Sequence, residues 1–192
     1  MLYLASASPR RQELLRQIGV AFEALPSDVE ESRARDERPQ DYVLRVALDK
    51  ARAVARTLRA RGLATHPVLG ADTEVVLDEE VLGKPRDANH GKDMLARLAG
   101  RTHEVLSAVA LVHESQELTA LSRSTVTFGA IGQEDIAKYW DSGEPSDKAG
   151  AYAIQGRAAA FVARIEGSYS GIVGLPLFEL TQLLTQIGYR RA

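Results

Sequence analysis

Two arginines stand where a helix should repel them. A short apolar run, Met1-Leu2-Tyr3-Leu4-Ala5, is followed by Ser6-Ala7-Ser8-Pro9-Arg10-Arg11 and then by a helical pattern through Leu14, Leu15 and Ile18. Ser8 is suited to cap that helix and Pro9 to occupy its first position, where a missing N–H costs nothing. The first turn faces the positive end of the helix dipole and favours Asp or Glu. Here it carries Arg10 and Arg11 instead. Free backbone N–H groups, the hydroxyls of Ser6 and Ser8 and two guanidinium groups gather at one place, and a phosphate-bearing ligand is the simplest partner for them.

Other residues add to this chemistry. Lys50 falls on the apolar stripe of Val43, Val46, Ala47, Val54 and Leu58. It either snorkels past its neighbours to water or points an ammonium inward at an anion. Asp72 follows the apolar run Val68-Leu69-Gly70-Ala71, where it is either a ligand-facing acid at the end of a buried strand or a turn residue. Glu74, two residues on, shares its side if the strand continues. Lys84 is stiffened by Pro85 and belongs to a cleft or to a surface loop. Glu30-Glu31 is a divalent-metal candidate or a solvated pair. Gln155 carries a donor and an acceptor suited to a nucleobase edge, within a glycine-rich stretch that also reads as a plain connector.

The elements that must position these residues follow from periodicity and punctuation. Strands are expected at 1–5, 21–25, 66–72 (ending on Asp72), 102–112, 118–128 and 160–165, with a hairpin over 73–82. Helices are expected from Pro9, over 40–61, from Asp87 to Gly100, over 133–142 and over 176–187. Residues 26–39 form a long polar loop, and 170–174 is expected to be extended. This order lacks a clean βαβ repeat, which points to a mixed sheet with helices on its faces, in one domain of two lobes around a cleft.

The 192 residues carry 24 Lys and Arg against 26 Asp and Glu, a formal net charge of −2, which argues against electrostatic binding of polymeric nucleic acid. There is no cysteine, so thiol catalysis and disulfides are excluded. No apolar run approaches a membrane span and no signal-peptide pattern opens the chain, so a soluble cytoplasmic protein without a membrane partner is expected. The four histidines show no metal-ligand spacing, and neither of the common glycine-rich phosphate-loop patterns is present.

Taken in order, Leu4-Ala5-Ser6-Ala7-Ser8-Pro9-Arg10-Arg11, Lys50-Ala51, Gly70-Ala71-Asp72-Thr73, Gly83-Lys84-Pro85, Gly150-Ala151-Tyr152-Ala153-Ile154-Gln155-Gly156 and Val173-Gly174-Leu175-Pro176 closely resemble the Maf family of nucleoside triphosphate pyrophosphatases. The resemblance spans almost the whole chain. It implies an α/β fold with a twisted mixed sheet, flanking helices and a central cleft, as in inosine triphosphate pyrophosphatases, and a homodimer. It implies cleavage between the α and β phosphates with Mg2+ or Mn2+ as cofactor. By the same resemblance Asp72 is the proton acceptor, Ser6, Arg10, Lys50 and Lys84 handle phosphate, and Glu31 is an acid near the metal, which Asp72 is also expected to touch.

Arg11, Thr73 and Gln155 match the subclass acting on dTTP and UTP. The alternatives are the sister subclass acting on 7-methyl-GTP and a non-catalytic nucleotide-binding regulator of septum formation. The chain departs from the pattern at Glu74, where members usually carry an apolar residue. In the cleft it would add negative charge; facing solvent it would change nothing.

Overall fold

A computed structural model describes residues 1–63 and 66–189. Seven strands form one sheet: β1 (Leu2–Leu4), β2 (Phe22–Ala24), β3 (Val68–Leu77), β4 (Glu80–Leu82), β5 (Thr102–His113), β6 (Gln116–Phe128) and β7 (Val162–Glu166). The helices are α1 (Pro9–Gln17), α2 (Pro39–Ala60), α3 (Ala88–Leu98), α4 (Gln133–Asp141), α5 (Tyr169–Val173) and α6 (Leu177–Gln186). Strand order is β2-β1-β3-β5-β6-β7, parallel in its first two pairings and antiparallel in the rest, so the sheet is mixed as expected.

The organising strand is β3. One of its edges pairs with β5 over nine residues. The other is shared: β1 pairs in parallel at Val68 and Leu69, and β4 pairs antiparallel at Val75, Val76 and Leu77. Residues 70–74 lie between those two partners and face an opening. The expected strand end at Asp72 is therefore corrected. The strand runs on to Leu77 because β5 supports it from Val68 to Val76 and β4 pairs with its last three residues, and Asp72 sits in its middle.

Alternation along β3 divides its side chains between two faces. Val68, Asp72, Glu74 and Val76 face α2, whose buried stripe includes Val43, Ala47, Ala51, Val54 and Leu58. The contact is closest at Gly70, where a Cβ would lie 2.0 Å from the Ala47 carbonyl oxygen. Only glycine admits the helix there, so the small residue before Asp72 serves helix packing. On the opposite face Leu69 and Ala71 join a core with Leu14, Leu15, Leu180 and Leu183. Val75 and Leu77 join another with Met94, Leu95, Phe128 and Tyr152. Thr73 lies between these two packings.

Two further expectations change. Residues 170–174 are not extended: Ser168 caps the short helix α5, its Oγ accepting from the Gly171 N–H at 3.0 Å. Beneath it, the buried Ser107 hydroxyl donates to the Gly171 carbonyl at 2.6 Å. The last strand begins at Val162, two residues later than expected, because Arg157–Phe161 forms a 3-10 turn. The hairpin of β3 and β4 closes through Asp78 and Glu79, both at positive φ (52° and 64°), the handedness a two-residue hairpin turn requires.

His103 on β5 is buried beside Phe128 and shares a 2.8 Å hydrogen bond with the Tyr152 hydroxyl. Burial pushes its imidazole down to about 4. The folded chain thus refuses a proton that the unfolded chain accepts near pH 6.5. This contribution to stability is complete above the unfolded value and is lost as pH falls from there towards 4. By pH 4.5 the loss is about 2–3 kcal/mol. Urea midpoints measured at pH 7 and pH 4.5 should fall further for the wild type than for His103→Leu; equal falls would show that His103 titrates freely.

Candidate active site

The N-terminus of α1 is built as its sequence requires. Ser8 caps it, accepting from the Arg11 N–H at 3.5 Å, Pro9 leads the first turn, and no acid is present in that turn. Ser6 Oγ accepts from the Ser8 N–H and from Arg11 Nη1, each at 3.2 Å. Arg11 Nε donates at 2.9 Å to the Gly174 carbonyl, which ties the helix start to the turn after α5. Thr73 donates to the same carbonyl at 3.3 Å, and its Oγ1 lies 3.0 Å from the Ser107 hydroxyl oxygen. Arg11 and Thr73 therefore meet at one backbone oxygen from opposite sides.

Across the opening in β3, Lys50 resolves in favour of the inward ammonium. It is buried, and its Nζ lies 2.8 Å from Asp72 Oδ1 and 2.9 Å from Glu31 Oε1. Asp72 Oδ2 and Glu74 Oε2 are buried without a hydrogen-bond partner. Glu74 does face the cleft, so the side of the strand it shares with Asp72 is the functional side. Burial, reinforced by the charges of Asp72 and Glu31, raises the Glu74 carboxyl to about 8. Glu31 moves the other way: Lys50, with help from Lys84 and Arg11, holds its carboxyl below the ordinary value against the effect of burial. Burial lowers the guanidinium of Arg11, partly countered by Asp72, and that of Arg10, partly countered by Asp147.

The remaining groups arrive on loops. The Gly150 N–H donates to the Gly83 carbonyl at 3.1 Å, fastening the segment that carries Lys84 to the glycine-rich stretch. Gly150 has φ +67°, and a Cβ there would press on Val75 at 2.9 Å. Gln155 follows the buried residues Tyr152, Ala153 and Ile154 and is itself exposed at the cavity wall. One cavity of about 660 Å³ is lined by Ser6, Arg10, Arg11, Glu31, Lys50, Asp72, Thr73, Lys84 and Gln155, whereas Glu30, the other half of the acidic pair, is exposed and not part of its lining. That volume accommodates a nucleotide-sized ligand.

Sequence reasoning missed four contributors. Tyr42 lines the cavity and donates through its hydroxyl to the Glu31 carbonyl at 3.0 Å, pinning the 26–39 loop to α2. Arg45, one turn further, holds the same loop through Glu37 and the Ser32 carbonyl. Asp147 and Lys148 form the wall facing Arg10. The three-residue spacing of Tyr42 and Arg45 on α2 was the available signal, but it acquires meaning only once the loop is seen to fold back over them.

The cavity combines cations on α1, α2 and the Lys84 loop with acids on β3 and the long loop. It can grip an anion on one side and position a water or cation on the other. Removing the ammonium would leave Asp72 buried beside acids with no counter-charge. We expect Lys50→Met to destabilise the fold by about 3 kcal/mol, with part of that loss recovered in the Lys50→Met/Asp72→Asn double variant. Equilibrium urea unfolding measures both, and an unchanged midpoint in Lys50→Met would refute a structural role for the pair.

Residues 1–187 match the family model described as Maf-like protein. The chain is 55% identical to the dTTP/UTP pyrophosphatase of Alkalilimnicola ehrlichii, covering 99% of this chain and 95% of that protein. It is 57% identical to that of Xanthomonas campestris pv. campestris, covering 98% and 99%, and 56% identical to that of Burkholderia pseudomallei, covering 95% and 91%. Among solved structures, that of the Staphylococcus aureus Ham1 protein matches with a TM-score of 0.45 at 16% identity, covering 69% of this chain and 72% of that one. On a family match along almost its whole length and relatives above half identity, the chain belongs to the Maf family.

Proposed function

We propose that the protein hydrolyses dTTP and UTP to the nucleoside monophosphate and pyrophosphate. The observation that carries this reading is the single cavity in which the cations of α1, α2 and the Lys84 loop face Asp72 and Glu74, with Gln155 at its wall. The dTTP/UTP pyrophosphatase names of relatives above half identity supply the substrate class.

A triphosphate near neutrality carries about four negative charges, so its hydrolysis depends on cations placed where charge develops. Arg10 offers a bidentate grip on phosphate oxygens, and the free N–H groups of the α1 N-terminus lie beside it. Arg11 is already committed through Nε to Gly174 and through Nη1 to Ser6, and what remains of its guanidinium is offered to a ligand in the cavity it lines. Lys84, exposed on its loop, reaches the ligand from the mouth. Lys50 holds Asp72 Oδ1, which leaves Oδ2 as the oxygen that receives a proton from water or holds a cation. In the reaction, a water oxygen bonds to phosphorus of the α–β anhydride, the bridging P–O bond breaks, and pyrophosphate leaves with the electron pair.

The reading includes a divalent cation, Mg2+ or Mn2+. The buried, unpartnered Asp72 Oδ2 fits such an ion, and Glu31 stands nearby through their common partner Lys50. When bound, the ion would neutralise phosphate charge and lower the pKa of a coordinated water. Among the described residues no helix is long and apolar enough to cross a membrane. A cytoplasmic homodimer is part of the proposal, carried by the family resemblance.

Wild-type protein with Mg2+ or Mn2+ should release pyrophosphate rather than orthophosphate from dTTP and UTP, and Asp72→Asn should lose about 10³-fold in kcat. A panel including CTP, GTP, 7-methyl-GTP and ITP checks both points; preference for 7-methyl-GTP, or binding of every triphosphate without turnover, would overturn the assignment. Thymine and uracil share an imide edge of two acceptors around one donor, and an ionised glutamate at position 155 has no donor to offer it. Gln155→Glu should therefore raise KM for dTTP and UTP about tenfold while moving kcat less. An unchanged KM would place base recognition elsewhere.

A further inference from the structure

Glu74 has no part in the roles assigned so far, yet it is one of the least comfortable groups in the molecule. It is 8% exposed, on a central strand, and its Oε2 is buried without a partner. Asp72, at 4% exposure, has an oxygen in the same condition. Both line the cavity and project from the same face of β3, two residues apart, where neighbouring side chains on a face are roughly 6.5–7 Å apart along the strand. A buried carboxylate oxygen left unpaired costs free energy of the order of kilocalories. Two of them on one cavity wall make a site shaped for something positive.

The neighbouring cations do not fill that role. The Lys50 ammonium is engaged by Asp72 Oδ1 and Glu31 Oε1, which leaves Asp72 Oδ2 and Glu74 free. Lys84 is exposed on its loop and acts on Glu74 only at a distance. Glu31 is the weaker candidate for a ligand. Its side chain is 42% exposed and one of its oxygens is held by Lys50. Among the described residues no three acidic or histidine side chains are grouped to hold a metal ion unaided. Magnesium does not require an all-protein cage: one or two carboxylates share the ion with phosphate oxygens and water.

We infer that Asp72 and Glu74 together form the protein half of a divalent-cation site, with Glu74 rather than Glu31 as the second carboxylate. Magnesium and manganese are the ions this all-oxygen pair takes, and a triphosphate completes the shell. The cation neutralises both orphaned oxygens at once. Glu31 then serves to hold Lys50 against Asp72 and steers phosphate only through that lysine. The inference rests on the proposed reaction for the phosphate ligands alone; the carboxylate pair is a property of the free protein.

Electron paramagnetic resonance of Mn2+ tests this without turnover. Free Mn2+ is titrated against the wild type, Glu74→Gln and Glu31→Gln, each with and without α,β-methylene-UTP, whose α–β bridge resists hydrolysis. Glu74→Gln should weaken Mn2+ binding at least about tenfold, while Glu31→Gln changes it less than about threefold, and excess Mg2+ should compete in the wild type. Glu74→Gln is isosteric with the wild-type side chain and adds no buried charge, so its melting temperature without metal should equal or exceed that of the wild type, confirming that lost binding is not lost folding. Retained Mn2+ affinity in Glu74→Gln, loss in Glu31→Gln alone, or no Mn2+ binding by the wild type in either condition would overturn the inference. Pyrophosphate release is assayed on the same preparations: absent turnover with intact Mn2+ binding would strike the proposed reaction and leave the carboxylate site standing.

Discussion

The structure depends on a polar residue placed in the middle of its central strand. Burying Asp72 inside a sheet is costly, and the fold meets that cost with the Lys50 ammonium at 2.8 Å and with the opening left where β1 and β4 divide one edge of β3. Neither device works alone. Without the lysine, Asp72 would be an unpaired buried charge, which costs several kilocalories. Without the opening, a strand paired on both edges would leave no route for a ligand to the carboxylate. The gap exists because β1 runs parallel to β3 and β4 antiparallel, so the two approach from opposite ends and stop short of each other. The topology of the sheet thus determines where chemistry is possible.

The same strand also couples the two sides of the cavity. Its even-numbered residues face α2 and bring Asp72 and Glu74 to Lys50 and Glu31. Its odd-numbered Thr73 faces the other way, to Ser107 and the Gly174 carbonyl that Arg11 also holds. A shift of β3 by one residue would exchange these faces, placing acids against the aliphatic packing around α6 and Thr73 against α2. Pairing with β5 over nine residues, and the close approach of Gly70 to Ala47, exclude that slip. The register that packs the core is therefore the register that assembles the site.

Much of this was legible beforehand where the signal was local. The α1 cap at Ser8, the apolar stripe of α2, the β5 and β6 pair and the final helix follow from hydrophobic period and capping chemistry, and each lies within a residue or two of its expected bounds. The failures have a common cause in tertiary pairing. Asp72 reads as a strand end because an acid usually stops a buried run, but β5 carries the strand past it. Residues 170–174 read as extended because a five-residue helix has too few turns to show a period; Ser168 and Ser107 stabilise it from outside. Spacing alone leaves Lys50 open, since a stripe position does not reveal what faces it. Tyr42 could not be read as a site residue before the 26–39 loop was seen to fold back.

Electrostatics explains why the cavity is poised for a triphosphate instead of being satisfied by itself. Three acids, Glu31, Asp72 and Glu74, face one tightly engaged ammonium at Lys50, while Arg10 and Arg11 stand at a helix terminus that offers no counter-charge of its own. Moving the arginines onto the acids would quench both sets, yet the backbone forbids it: Arg11 is held by Gly174 and Ser6, and the acids are carried on a strand across the opening. The two halves of the charge distribution are thus kept apart by the fold. A ligand that is strongly anionic along one stretch and accompanied by a cation along the other brings each half its complement. Polyphosphate with a divalent ion has that form, and a bare phosphate, which satisfies only the arginine side, does not.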